Sequence, residues 1–206
     1  VTPSPRPDAG TDPDDVAFSL DSSRAYIVSA VSGTLTRLNM ETGEVVDVIG
    51  LEGRPSAVAA GPSGVLYVSA TNRIYDVDPG TGAVRAEMGV NGKPGRAAFT
   101  PDGRYALFAN DADFVASGLG FLVNVNERAV AGVIPRTWGS PELTLEQLAV
   151  VDNNTCYAVS SSTRQLVRIT LSPLAVHTTA FPMAEKTNVR GLAASRPTSW
   201  ATEIGR

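Results

Sequence analysis

Residues 55–93 read PSAVAAGPSGVLYVSATNRIYDVDPGTGAVRAEMGVNGK. The segment opens with a short run of small apolar residues, Ala57-Val58-Ala59, and a tight Gly61-Pro62-Ser63-Gly64 turn follows. Leu66-Tyr67-Val68 then reads as a strand, and Ile74-Tyr75-Val77 as a third. Asp78-Pro79-Gly80-Thr81-Gly82 is a second turn, leading into Val84-Ala86-Met88. Asp and Gly supply the side-chain hydrogen bonds and left-handed conformations that short connections need. Period-two alternation, β-branched and aromatic residues and turns every 8–12 residues predict four antiparallel strands and no helix.

The same order of features recurs on both sides. A copy begins at Pro13 (PDDVAFSLDSSRAYIVSA), another at Pro94 (PGRAAFTPDGRYALFAN) and another at Pro141 (PELTLEQLAVVDNNTCYAVS). The fourth copy is the most divergent: Asp152-Asn153-Asn154 replaces the Pro-Asp-Gly turn, and Pro141–Gln147 is expected to form one helical turn. NVRGLAASR (188–196) opens a fifth copy that stops. Four strands per repeat of about 40 residues predict an all-β chain, a β-propeller of four-stranded antiparallel blades. The blades are expected at 13–54, 55–93, 94–140 and 141–187, with the first strand of a fifth at 188–196. Residues 1–12, with three prolines, read as an extended leader or linker, and 197–206 as a tail. A start at Val1 reads as a processed or trimmed N-terminus.

PDGRYALFAN, DVAFSLDSSRAYIVSA and GVLYVSATNRIYDVDPGTGAV resemble the YVTN-type propeller repeat of bacterial and archaeal secreted or surface-layer proteins. The resemblance spans about 13–195. It implies the propeller fold and an extracytoplasmic setting (secreted, periplasmic or cell surface). It does not imply one activity. Propellers close with about four to eight blades. Four blades and a strand therefore belong to a larger ring, are completed by a homodimer partner or another chain, or stand as a small ring or open arc.

Composition excludes several classes. A net charge of −4 argues against a nucleic-acid partner. Absence of a long apolar run argues against membrane insertion. One Cys and one His leave little for a structural zinc site or a disulfide framework. Nucleophile-elbow, zincin, P-loop and dinucleotide motifs are missing, and no cofactor is expected.

By analogy with other propellers, ligands meet the loops entering each inner strand and the loops between second and third strands. Arg54, Arg96 and Arg190 recur at similar repeat positions (GRPSAV, GKPGRAA, NVRGLA). Either they gather an anionic group, or they pair with Asp14, Asp15 and Glu142 as ordinary loop charges. Asn110, Asp111 and Asp113 lie in a loop lengthened over 110–120, where function is often carried. Asp111 and Asp113 are oxygen ligands suited to a hard cation, though polar-loop hydrogen bonding explains them equally. His177 falls on an outer strand, away from any nucleophile, and Cys156 reads as a small core residue. Trp138 and Trp200 read as anchors of a loop and of the tail.

The expected function is that of a non-catalytic binding or interaction scaffold, with a protein, glycan or small molecule as ligand. The alternatives are a lactonase-like propeller hydrolase or lyase, or a propeller subunit of a quinone- or haem-dependent dehydrogenase.

Overall fold

The computed structural model describes residues 12–62, 64–111, 118–136, 143–160 and 162–180. Within them lie sixteen strands and no helix. The first sheet holds β1 (Asp15–Phe18), β2 (Arg24–Ser29), β3 (Thr34–Asn39) and β4 (Val45–Gly50). The second holds β5 (Ala57–Ala60), β6 (Leu66–Ala70), β7 (Arg73–Val77) and β8 (Val84–Gly89). β9 (Pro94–Phe99), β10 (Tyr105–Asn110), β11 (Gly120–Asn124) and β12 (Ala129–Ile134) form the third. β13 (Gln147–Val150), β14 (Thr155–Ser160), β15 (Gln165–Leu171) and β16 (Leu174–Ala180) form the fourth. Each sheet is an antiparallel meander in chain order, as the repeat predicts for one blade.

The turns repeat one device. Asn39 Oδ1 accepts from the Glu41 and Thr42 amides, Asp78 Oδ1 from Gly80 and Thr81, and Asn124 Oδ1 from Asn126 and Glu127. In the divergent fourth repeat, Asp152 Oδ1 accepts from the Asn154 amide at 2.7 Å, so the Asp-Asn-Asn turn does the work of Pro-Asp-Gly. In the described part of Pro141–Gln147, the stretch expected to form a helical turn, residues 143–146 are not helical and Gln147 already begins β13. Leu143 and Leu145 are instead fully buried, because alternate residues of this stretch enter the core between the last two blades.

The core is three separate layers, one between each pair of successive blades. Tyr26, Val28 and Leu35 of the first blade pack on Val58, Leu66, Val68 and Val77 of the second. Tyr67, Ile74 and Met88 of the second pack on Ala106, Phe108, Phe121 and Val123 of the third. Tyr67 is stacked on Phe99 at 5.8 Å and meets Phe108 edge-on at 5.7 Å, the geometries aromatic rings prefer. Leu107, Leu122 and Ile134 of the third pack on Cys156, Ala158, Val167 and Ile169 of the fourth. The register makes the rule explicit: in the second and third blades one face serves the blade before, the other the blade after. Contacts between inner strands run β1 to β5, β5 to β9 and β9 to β13.

Candidate functional site

Polar residues begin where the inner strands begin. Small residues on these strands let them crowd together, and polar side chains just upstream then converge. Asp15, opening β1, is the first example. Its Oδ2 accepts from the Val58 amide on β5 at 3.0 Å and from Arg96 Nε on β9 at 3.1 Å, and its Oδ1 accepts from Arg96 Nη2. Arg96 Nη2 also donates to the Val16 carbonyl at 3.1 Å. One carboxylate thus holds three inner strands.

Beside it, the loops entering the second, third and fourth blades border an open cavity of about 520 Å³. Ser56, Lys93, Asn110, Asp111, Thr144 and Glu146 give it its polar wall, and Pro94, Gly95 and Ala109 its floor. A second cavity of about 370 Å³ is lined by Arg96, Ala98, Gln147 and Leu148 and shares Gly95, Ala109 and Glu146 with the first.

Lys93 Nζ donates to Asp111 Oδ2 at 3.0 Å, and the Asp111 amide donates to the Lys93 carbonyl at 3.0 Å. Asn110 is buried: its Oδ1 accepts from the Lys93 amide at 2.9 Å and its Nδ2 donates to the Gly118 carbonyl at 3.3 Å. A Cβ on Gly92 would collide with the Asn110 amide, so the chain approaches Asn110 only through glycine there. On the fourth blade the Thr144 amide donates to Ser160 Oγ at 3.3 Å, and the hydroxyls of Thr144 and Ser162 lie 3.0 Å apart. Buried Ser29, Asn110 and Ser160 occupy the same place at the end of their second strands, where the second blade has Ala70 and buried Ser69 stands one residue earlier. Ser69 Oγ donates to the Gly95 carbonyl of the next blade at 2.7 Å. Ser69, Asn110 and Ser160 thus fasten the entering loops that border the cavity.

The predicted residues divide. Asn110 and Asp111 line the first cavity and Arg96 the second. Asp113 and Arg190 lie outside the described residues, as do Trp138 and Trp200. Arg54 is exposed, with φ of +57°, on the link between β4 and β5, and lines neither cavity. Arg96 is bound to Asp15, the pairing alternative of the sequence reading. The Asp111 carboxylate faces an ammonium. Among the described residues no group of three His, Cys, Asp or Glu side chains is placed to hold a metal ion. His177 on β16 is exposed opposite Arg168, and Cys156 is fully buried.

Ser56 and Thr144 were not foreseen. Their signal was positional: Ser56 immediately precedes the inner strand β5, and Thr144 lies three residues ahead of the inner strand β13.

Charged residues also tie the blades together at mid-strand. Arg37 is buried and grips Asp47 with two hydrogen bonds of 2.5 Å. Its Nη1 donates to the Pro79 carbonyl of the next blade at 3.0 Å, joined there by Tyr26 Oη at 3.3 Å. At the same repeat position of the second blade the sign is reversed. Asp76, fully buried, accepts from Arg85 of its own blade at 2.5 Å and lies 3.2 Å from Arg128 Nε of the third.

No family model and no curated protein matches the sequence. Solved structures do match in fold. A Kuenenia stuttgartiensis hydrazine synthase chain superposes with a TM-score of 0.72 at 17% identity, over 88% of this chain and 52% of that one. Virginiamycin B lyase from Staphylococcus aureus gives 0.68 at 16%, over 88% and 58%. The WD40 repeats of RRP9 give 0.68 at 11%, over 83% and 52%. These neighbours are β-propellers, and so is the fold of this chain. It spans about half the length of the structures it matches.

Proposed function

We propose that this chain is a non-catalytic binding scaffold of an extracytoplasmic propeller and takes its ligand at the channel mouth. The observation that carries the reading is the cavity of about 520 Å³ bounded by Ser56, Lys93, Asp111, Thr144 and Glu146. Its volume lies in the range of small-molecule sites, which run from about 300 to 1,000 Å³. The wall offers an ammonium, two carboxylates and two hydroxyls over a floor of small apolar residues. That mixture suits a compact ligand rich in both donors and acceptors, such as a sugar ring or a short peptide. Hydrogen bonds from the second strands hold the loops before any ligand arrives, which lowers the ordering cost of binding. The extracytoplasmic setting rests on the repeat resemblance.

The test is an amide-resolved NMR titration with monosaccharides, disaccharides and tripeptides of both charge signs. A binding probe is expected to shift Ser56, Lys93 and Thr144, and Thr144→Trp, which fills the cavity, to abolish those shifts while the strands persist. Shifts confined to outer strands would refute the assignment. Turnover of a bound probe would move it to the hydrolase or lyase reading. A redox chromophore retained through purification would move it to the dehydrogenase subunit.

A further inference from the structure

The joint between the first and second blades has two halves. One half is the Tyr26–Arg37 pair, opposed across β2 and β3, whose hydroxyl and guanidinium both donate to the Pro79 carbonyl. The other half is the β7–β8 turn, which presents that carbonyl and seats Gly82 on the pair. A Cβ there would lie 3.1 Å from Arg37 Cζ and 2.9 Å from Asp47 Oδ2.

Both halves occur a second time, and among the described residues neither has its mate. On the fourth blade Tyr157 and Arg168 are opposed across β14 and β15, in the registers of Tyr26 and Arg37. Arg37 is 3% exposed, whereas Arg168 is exposed. Tyr26 is 1% exposed, whereas Tyr157 is only half-buried. On the first blade the β3–β4 turn has the same hydrogen bonds as the β7–β8 turn, which places Met40 at the position of Pro79 and Gly43 at that of Gly82. Met40 is 47% exposed, and a Cβ on Gly43 would meet nothing within 4 Å.

The sheet face behind that turn is apolar and under-covered. Val16 is 41% exposed where its counterpart Val58 is 1% exposed. Ile27 and Leu38 are half-buried where Val68 and Val77, Phe108 and Val123, and Ala158 and Ile169 are fully buried. Phe18 stands 51% exposed beside them. Thr36 Oγ1, buried on the same face, has no hydrogen-bond partner among the described residues.

We propose that a second copy of this chain docks head to tail, the fourth blade of each copy on the first blade of the other. Tyr157 and Arg168 then reach the Met40 carbonyl of the partner, and Val16, Phe18, Ile27 and Leu38 are covered as their counterparts are. Two such joints close a ring of two arcs. The occupant follows from complementarity: the two open faces are the two sides of one repeated joint. The length agrees, because the superposed part of this chain spans about half of each propeller it matches in fold. Eight described blades also lie within the range at which propellers close.

Light scattering over a dilution series of the full chain reads the outcome. The expected mass is twice 21.5 kDa. Phe18→Glu alone and Arg168→Glu alone are each expected to give monomers, with strand content unchanged by circular dichroism. Mixing the two variants is expected to restore a pair, because each supplies the face the other lacks. A wild-type monomer at every concentration overturns the proposal. So does growth into open-ended oligomers, or a pair that Phe18→Glu breaks and Arg168→Glu leaves intact, since that pair joins first blade to first blade.

Discussion

Cys156 is closed into the layer between the third and fourth blades, and burial pushes its thiol up to about 12 from 9.0. Tyr67 moves in the same direction, to about 12, through burial and the neighbouring Asp76 carboxylate. A group whose folded pKa is raised stabilises the fold fully below its unfolded pKa and loses that contribution as pH climbs through the folded value. Urea midpoints are therefore expected to fall between pH 9 and pH 12. The thiol alone accounts for on the order of 4 kcal/mol at the upper end. Cys156→Ala removes the thiol share, so its midpoint should fall less steeply; parallel slopes would show that the thiol has no part in it. At pH 8 a thiol reagent is expected to label Cys156 only in denaturant. That this cysteine is a core residue was readable from its place on an alternating strand. The fate of Asn110 was not. A strand-end amide with both ends committed to backbone looks in sequence like any polar loop residue, because the partners come from chain 8 and 17 positions away.

At the scale of the element, Gly43 and Gly82 make a matched pair. Both close the turn between third and fourth strands, with φ of +72° and +78°. Only Gly82 is seated on the preceding blade, where a Cβ would lie 2.8 Å from Ile49 Cδ1. In the monomeric Arg168→Glu background, Gly43→Ala is expected to cost only the left-handed backbone penalty, about 1–2 kcal/mol. Gly82→Ala should cost a further 1–3 kcal/mol, since a methyl forced into a packed joint displaces its neighbours. Urea denaturation of both variants checks this, and equal losses would mean that the turn is not part of the joint. Strands and turns were legible in the sequence because each blade makes its hydrogen bonds locally, between neighbouring strands. The cross-blade grips were not. Arg37 and Asp76 stand at one repeat position with opposite charge, so no shared residue type announced their common task. Over 143–147 the expected helical turn failed for a related reason. Buried leucines at alternate positions obey the neighbouring blade, which a local reading of PELTLEQ does not include.

At the scale of the whole molecule, the second and third blades have both faces covered by described residues, and the first and fourth have one each. In repeat architectures, stability is close to a sum over units and the interfaces between neighbours. In a monomeric variant such as Phe18→Glu, amide exchange is expected to be slowest in β6, β7, β10 and β11 and fastest in β1 and β16. Uniform protection across all four blades would show instead that the arc unfolds as one unit.

The tie between Arg96 and Asp15 joins the third inner strand to the first, passing over the second. A brace that skips one unit acts as a chord. It fixes the distance across two joints, and so the turn made at each. Curvature in this arc is set by the bulk of side chains between sheets and braced at the axis by one guanidinium. Lysine in place of Arg96 would give up the two-pronged hold on Asp15 and leave the fan of the blades to the packed layers alone.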